Sequence, residues 1–159
     1  IKASNQMPSL RWVKSKSMHL TLHFLGEQDQ SGVEKIIQAI QNIGAEFNAH
    51  TVKAGEWGAF PNLRNPRVIF FKLMDADILI NLQKRLGQKL EKIRLDIDKR
   101  AWQTHITVAR NKNNTGPMDL NLPELPRLAW EVSSFELMQS NLLPDGAEYE
   151  IIKSFNLGK

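Results

Sequence analysis

Two short segments carry the same order of side chains: His19-Leu20-Thr21-Leu22 and His105-Ile106-Thr107-Val108. In an extended chain, residues i and i+2 project from one face roughly 6.6 Å apart, so each segment sets an imidazole beside a hydroxyl and turns two apolar groups away. A phosphate placed there could touch both polar groups. In-line displacement at phosphorus needs a proton taken from the nucleophile on one side and given to the leaving oxygen on the other. Imidazole can do either, because its ordinary pKa of about 6.5 leaves both forms accessible near neutrality. Hydroxyls that bond the non-bridging oxygens would follow the charge as it develops. The expectation is a paired acid–base site, with His19 and His105 catalytic and Thr21 and Thr107 binding phosphate.

The pattern alone leaves room for other readings. His-x-Thr is short, and in a chain with four histidines two of them would have Ser or Thr at i+2 by chance roughly once in twenty-five such sequences. His19 and His23 stand four apart, which on a helix chelates zinc. On a strand the same spacing is about 13 Å, too far to share an ion through bonds of about 2 Å. No His-Glu-x-x-His and no acidic triplet accompany these histidines, so no metal site is expected. A Gly-x-x-x-x-Gly-Lys-Ser/Thr loop and a Gly-x-Ser-x-Gly elbow are also lacking, which argues against P-loop and serine-hydrolase chemistry.

The elements that must position these residues follow from periodicity. Val33, Ile36, Ile37, Ile40 and Ile43 recur at helical spacing behind a capping box, Ser31-Gly-Val-Glu34. Ile78, Leu79, Leu82, Leu86, Leu90 and Ile93 make a second stripe, with Asp75 or Asp77 as cap. Strands are predicted over Met18–Leu25, Pro66–Met74, Trp102–Ala109, Trp130–Leu142 and Ala147–Leu157, the last two joined by a Pro-Asp-Gly turn at 144–146. Asn111–Pro126, rich in Asn, Pro and Gly, reads as a long loop. Helices and strands mix without regular alternation, so the expected class is α+β with largely antiparallel sheet. With 159 residues, one domain over 1–159 is expected. Hydrophobic residues at 42% and charged residues at 24% are ordinary for a globular chain. There is no cysteine, no apolar run long enough for a membrane span and no signal-peptide pattern, which together suggest a cytoplasmic protein. A net charge of +4 is compatible with a polyanionic substrate.

Met18-His-Leu-Thr-Leu-His-Phe-Leu-Gly-Glu27 and Gln103-Thr-His-Ile-Thr-Val-Ala-Arg110 resemble the paired signatures of the 2H phosphoesterases, in particular the bacterial and archaeal RNA 2′,3′-cyclic phosphodiesterases, also called 2′-5′ RNA ligases. Arg11-Trp-Val13, Gly58-Ala-Phe-Pro61 and Pro66-Arg-Val68 extend the likeness, which spans Arg11 to Arg110. The resemblance implies a bilobal, pseudo-two-fold α+β fold, with two small antiparallel sheets, helices outside and a central cleft. It implies that His19 protonates the leaving 3′ oxygen while His105 activates water, giving a 2′-phosphate without a metal or organic cofactor. It also implies RNA 2′,3′-cyclic phosphate ends or cyclic nucleotides as partners, reversible 2′-5′ ligation, no membrane and a monomer. Two departures stand out. The family opens with a strand and helix before the Arg11-Trp12 position, where only ten residues precede here, so that segment is lacking or the first lobe is altered. Thr104 also stands where proline is common.

Arg110 and Phe60 are secondary candidates for RNA contact, the first through phosphate and the second by stacking on a base. Strand parity turns Arg110 away from His105. Packing beside Pro61 is the plainer role for Phe60, and a rim position that for His23. Two other functions share these residues: hydrolysis of another small cyclic phosphate, and a non-catalytic RNA-end-binding module.

Overall fold

The computed structural model of the chain describes residues 9–112, 120–143 and 146–158. It is α+β, with a five-stranded sheet, a two-stranded sheet and two α-helices. In chain order these are β1 (Leu10–Trp12), α1 (Gln30–Ile40), β2 (His50–Phe60), β3 (Val68–Met74), α2 (Asp77–Lys92), β4 (His105–Asn111), β5 (Ala129–Val132), β6 (Ser134–Leu143) and β7 (Gly146–Asn156). The chain forms two compact units.

The first unit draws its described residues from Ile1–Leu20, Lys53–Asp75 and Gln103–Ala129. Its sheet has the order β1-β4-β3-β2-β5, and the β1–β4, β4–β3 and β3–β2 pairs are antiparallel. One face is apolar: Leu10, Ala59, Ile69, Val108 and Ala109 are buried there. Trp12, Met18, Trp57, Phe71, Leu120 and Leu122 pack against them. The Trp57 indole donates to the Pro123 carbonyl at 2.7 Å, which ties down part of the predicted Asn111–Pro126 loop. That loop also starts later than expected, since Asn111 is a buried strand residue whose side-chain amide donates to the Pro66 carbonyl at 3.2 Å.

The second unit comprises Thr21–Val52, Ala76–Trp102 and the described part of Trp130–Lys159. Here α1 and α2 pack together, burying Ile36 and Ile40 on one and Leu79, Leu82, Leu86 and Leu90 on the other. Both predicted stripes are therefore core faces. Their caps differ from expectation. Asp29, two residues before the expected Ser31, accepts from the Gly32 amide at 2.7 Å and caps α1. Ala76 precedes α2 without any side-chain cap, and Asp77 lies inside the first turn, where its charge favours the helix dipole. Asp75 instead adopts a φ of 57° and pairs with Lys53 at 2.7 Å. The β6–β7 hairpin stacks Phe135 on Phe155 with centroids 4.9 Å apart. Gly44 lies so close to the Asn156 carbonyl that a Cβ would overlap it, which lets the turn at Gly44–Glu46 seat against β7.

Two strand expectations need correction. Met18–Leu25 joins no ladder among the described residues, and its supposed inward residue Phe24 is 73% exposed. Alternation reports only side-chain polarity, whereas a strand also needs a hydrogen-bonded neighbour. The predicted Trp130–Leu142 strand is two, β5 and β6, which break at Ser133 and enter different sheets. β1 and β2 were not foreseen. β2 carries Gly55 and Gly58, which weaken a strand signal but permit close approach of a neighbouring side chain. Positions 144–145 of the expected turn lie outside the described residues.

The α1–α2 core should set the stability of the second unit. Leu82 is 1% exposed, and Leu82→Ala is expected to cost about 2–5 kcal/mol. Urea unfolding should show this as a lower midpoint with an unchanged m-value. A change under about 1 kcal/mol would mean that the helix interface is not tightly packed.

Candidate active site

His105 opens β4, and its ring is held from three directions. Nδ1 lies 2.8 Å from the Gln103 carbonyl. Phe60 meets the ring edge-on with centroids 5.2 Å apart, and Phe70 lies tilted at 4.8 Å. Phe60 and Phe70 also pack on each other at 4.5 Å. The arrangement depends on Gly58, which pairs with Phe70 across β2 and β3; a Cβ at position 58 would overlap the Phe70 ring. A carbonyl only accepts, so Nδ1 of His105 is the N–H in its neutral tautomer. Nε2 then bears the lone pair when the ring is neutral and the exchangeable proton when it is charged.

His19 repeats this local geometry. Its Nδ1 lies 2.8 Å from the Ser17 carbonyl, again two residues before the histidine. The segment is not a regular strand; it leaves a short 3₁₀ turn at Ser15–Ser17 through an extended Met18. His19 and His105 belong to the same compact unit. Both threonines are half-buried. The carbonyl of Thr21 accepts from the Trp102 indole at 2.9 Å within the second unit, and Thr107 stands opposite Phe70 in β4.

The ladder between β3 and β4 changes the expected facing of Arg110. Lys72, Phe71 and Phe70 pair in turn with His105, Ile106 and Thr107. The next step on β3 reaches Ile69, but its partner is Ala109, so Val108 is an extra residue. Val68 then pairs with Arg110. Because Lys72, Phe70 and Val68 alternate regularly, His105, Thr107 and Arg110 lie on one face. Simple parity had turned Arg110 away, and the bulge reverses that.

His23 does not share this environment. Its Nε2 is 2.8 Å from the Gln83 carbonyl of α2, and its ring packs on Gly87. It also lines a cavity of about 420 Å³ in the second unit, with Gln83, Lys84, Gly87, Arg100 and Trp102 among its walls. None of the candidate site residues lines that cavity, and Arg100 there is paired with Asp98, whose carboxyl its hydrogen bonds hold down to about 2. Sequence reading missed Gly58 and Phe70 as supports for His105. Nothing in an apolar run distinguishes a ring that holds a histidine from any other core residue.

Comparison with known proteins agrees with these features. The family described as LigT like Phosphoesterase matches residues 1–70, which include the first His-x-Thr segment. The RNA 2′,3′-cyclic phosphodiesterase of Thermus thermophilus is 30% identical over 154 residues, covering 91% of this chain and 74% of that protein. The Bacillus subtilis protein of the same name is 26% identical over 148 residues, covering 92% and 80%. The crystal structure of TT0787 from Thermus thermophilus superposes with a TM-score of 0.85 at 27% identity, covering 99% of this chain and 88% of that one. The chain belongs to the LigT-like phosphoesterases.

Proposed function

We propose that the chain hydrolyses the 2′,3′-cyclic phosphodiester at an RNA end to a 2′-phosphomonoester, with His19 and His105 as its proton carriers. One observation carries this reading: both imidazoles bond Nδ1 to the carbonyl two residues earlier at 2.8 Å, and both are followed two residues later by threonine. Two imidazoles held alike, each with Nε2 as the working nitrogen, suit a reaction that needs one acid and one base. The relatives named RNA 2′,3′-cyclic phosphodiesterase support the choice of substrate.

In this mechanism neutral His105 takes a proton from water through Nε2 as the water oxygen bonds to phosphorus. Protonated His19 gives its Nε2 proton to the 3′ oxygen as the P–O3′ bond breaks. The products are a 2′-phosphate and a free 3′-hydroxyl. Exchange with solvent restores the starting protonation states. A 5′-hydroxyl of a second RNA in place of water would give a 2′–5′ linkage, and the reverse step would cleave it. The hydroxyl two residues after each histidine bonds a non-bridging oxygen and stabilises the charge that develops there.

His19→Ala or His105→Ala should each lower turnover by about 10²- to 10⁴-fold with the fold retained by circular dichroism. Thr107→Ala should lower kcat by an amount equivalent to about 2–4 kcal/mol. Near-normal turnover in either histidine variant would leave the fold as a binding module.

The pH dependence of kcat/KM should be bell-shaped, because one imidazole must be neutral and the other charged in the same molecule. Activity falls below the lower limb as the base is protonated, and above the upper limb as the acid loses its proton. Each histidine variant should flatten one limb, and a rate that rises without a maximum would remove the two-imidazole scheme.

Hydrolysis should persist at full rate after exhaustive chelation. Loss of activity that a divalent ion restores would overturn the metal-independent mechanism.

A further inference from the structure

The residues that follow His19 are held by side chains rather than by a sheet. Met18–Leu25 joins no ladder among the described residues, yet Thr21 and His23 are each tied to remote parts of the second unit. The Trp102 indole N–H donates to the Thr21 carbonyl at 2.9 Å. Two residues on, Nε2 of His23 lies 2.8 Å from the Gln83 carbonyl of α2, and the ring rests on Gly87. A carbonyl only accepts, so this nitrogen donates. Trp102, His23 and Gly87 also line one cavity. A peptide unit is planar, so a donor on the Thr21 carbonyl fixes ψ of Thr21 and with it the direction of its side chain relative to the chain that follows. In a strand, ladder hydrogen bonds perform that task. Here an indole performs it.

The place of Trp102 in the chain gives this bond a further consequence. Thr21 follows His19 by two positions, and Trp102 stands just before the second His-x-Thr. The indole therefore links the two stretches of chain that bear the repeated motif. Packing alone would ask only for an aromatic ring. An indole adds a donor, and this one meets a backbone acceptor that no ladder partner takes up among the described residues. Resting on the function proposed above, we infer that Trp102 is a positioning residue: its N–H holds Thr21 so that the threonine hydroxyl meets a non-bridging oxygen of the cyclic phosphate. Trp102 acts through Thr21 and carries no proton in the reaction. A misplacement of about 1 Å at a reacting centre can cost on the order of a hundredfold in rate, so a bond that sets this side chain's direction matters more to turnover than to stability.

The test is a double-mutant cycle between W102F, which keeps an aromatic ring and removes the donor, and T21V, which removes the hydroxyl and keeps the β-branched shape. Turnover is measured on an oligoribonucleotide ending in a 2′,3′-cyclic phosphate. W102F should lower kcat about tenfold and leave KM nearly unchanged, because the threonine bond strengthens in the transition state. In the T21V background the same replacement should change kcat by less than about twofold. A parent-like kcat in W102F overturns the inference. So does an equal loss in both backgrounds, which is what disturbed packing would give. If W102F loses the fold by circular dichroism, benzothienylalanine at position 102 alone takes its place in the cycle, since sulfur there replaces the N–H in a ring of similar size. The same outcomes then decide. If the parent chain cleaves no cyclic phosphate, the hydrolytic reading fails by itself, and calorimetric binding of inorganic phosphate decides the positioning role. Weaker binding by W102F than by the parent, with no difference between T21V and the double variant, supports it. Equal binding in the first pair, or equal weakening in both pairs, overturns it.

Discussion

The hydrogen-bond ladder between β3 and β4 governs much of the first unit. It runs regularly from Lys72–His105 to Phe70–Thr107, admits one extra residue at Val108, and resumes at Ile69–Ala109. The extra residue is not left in solvent: Val108 is 1% exposed, within the same apolar cluster as Leu10, Ile69 and Ala109. Core packing thus holds the bulge in place. A bulge re-aims every side chain beyond it, and here it brings the end of β4 back to the face that carries His105. The pairing of β1 with that end then carries Arg11 to the same side.

Around His105 the apolar and polar interactions have separate tasks. Phe60 and Phe70 limit where the ring can lie, and the Gln103 carbonyl decides which nitrogen keeps its hydrogen. Gly58 makes room for the Phe70 ring that supports one side of the imidazole. For the proton-carrying role proposed for His105, a narrow range of orientations before substrate arrives reduces the ordering left to be done in the transition state. His19 has the same carbonyl partner at the same offset, although it sits in an irregular segment rather than in a strand. A local backbone geometry that puts a carbonyl under Nδ1 is therefore reached by two different routes.

The second unit contributes a different kind of order. Its helices are held by an aliphatic interface and by the Arg85–Glu46 pair, where the guanidinium donates two hydrogen bonds at 2.6 and 3.1 Å. That pair is exposed, so solvent screens it, and most of the stability must come from the buried leucines and isoleucines. His23 belongs to this structural part despite lying only four residues from His19, because its ring bonds a carbonyl of α2 and rests on Gly87.

The sequence by itself determined the candidate reactive groups and the two helix faces. A repeated His-x-Thr names an imidazole and a hydroxyl wherever it falls, and a 3.6-residue apolar period already states which side of a helix must leave water. The class, α+β with antiparallel sheet, followed from the same local periods. What only the tertiary structure decided is everything that depends on a partner remote in sequence. The alternation of Met18–Leu25 could not reveal that no ladder forms there, and the glycines of β2 hid a strand whose purpose is to admit Phe70. Parity along β4 failed at Arg110 because a bulge is a property of two paired strands and of the core that accepts the extra residue. Side-chain chemistry is written one residue at a time, but the face to which it is presented is set by long-range hydrogen bonds and packing, and only the folded chain brings those together.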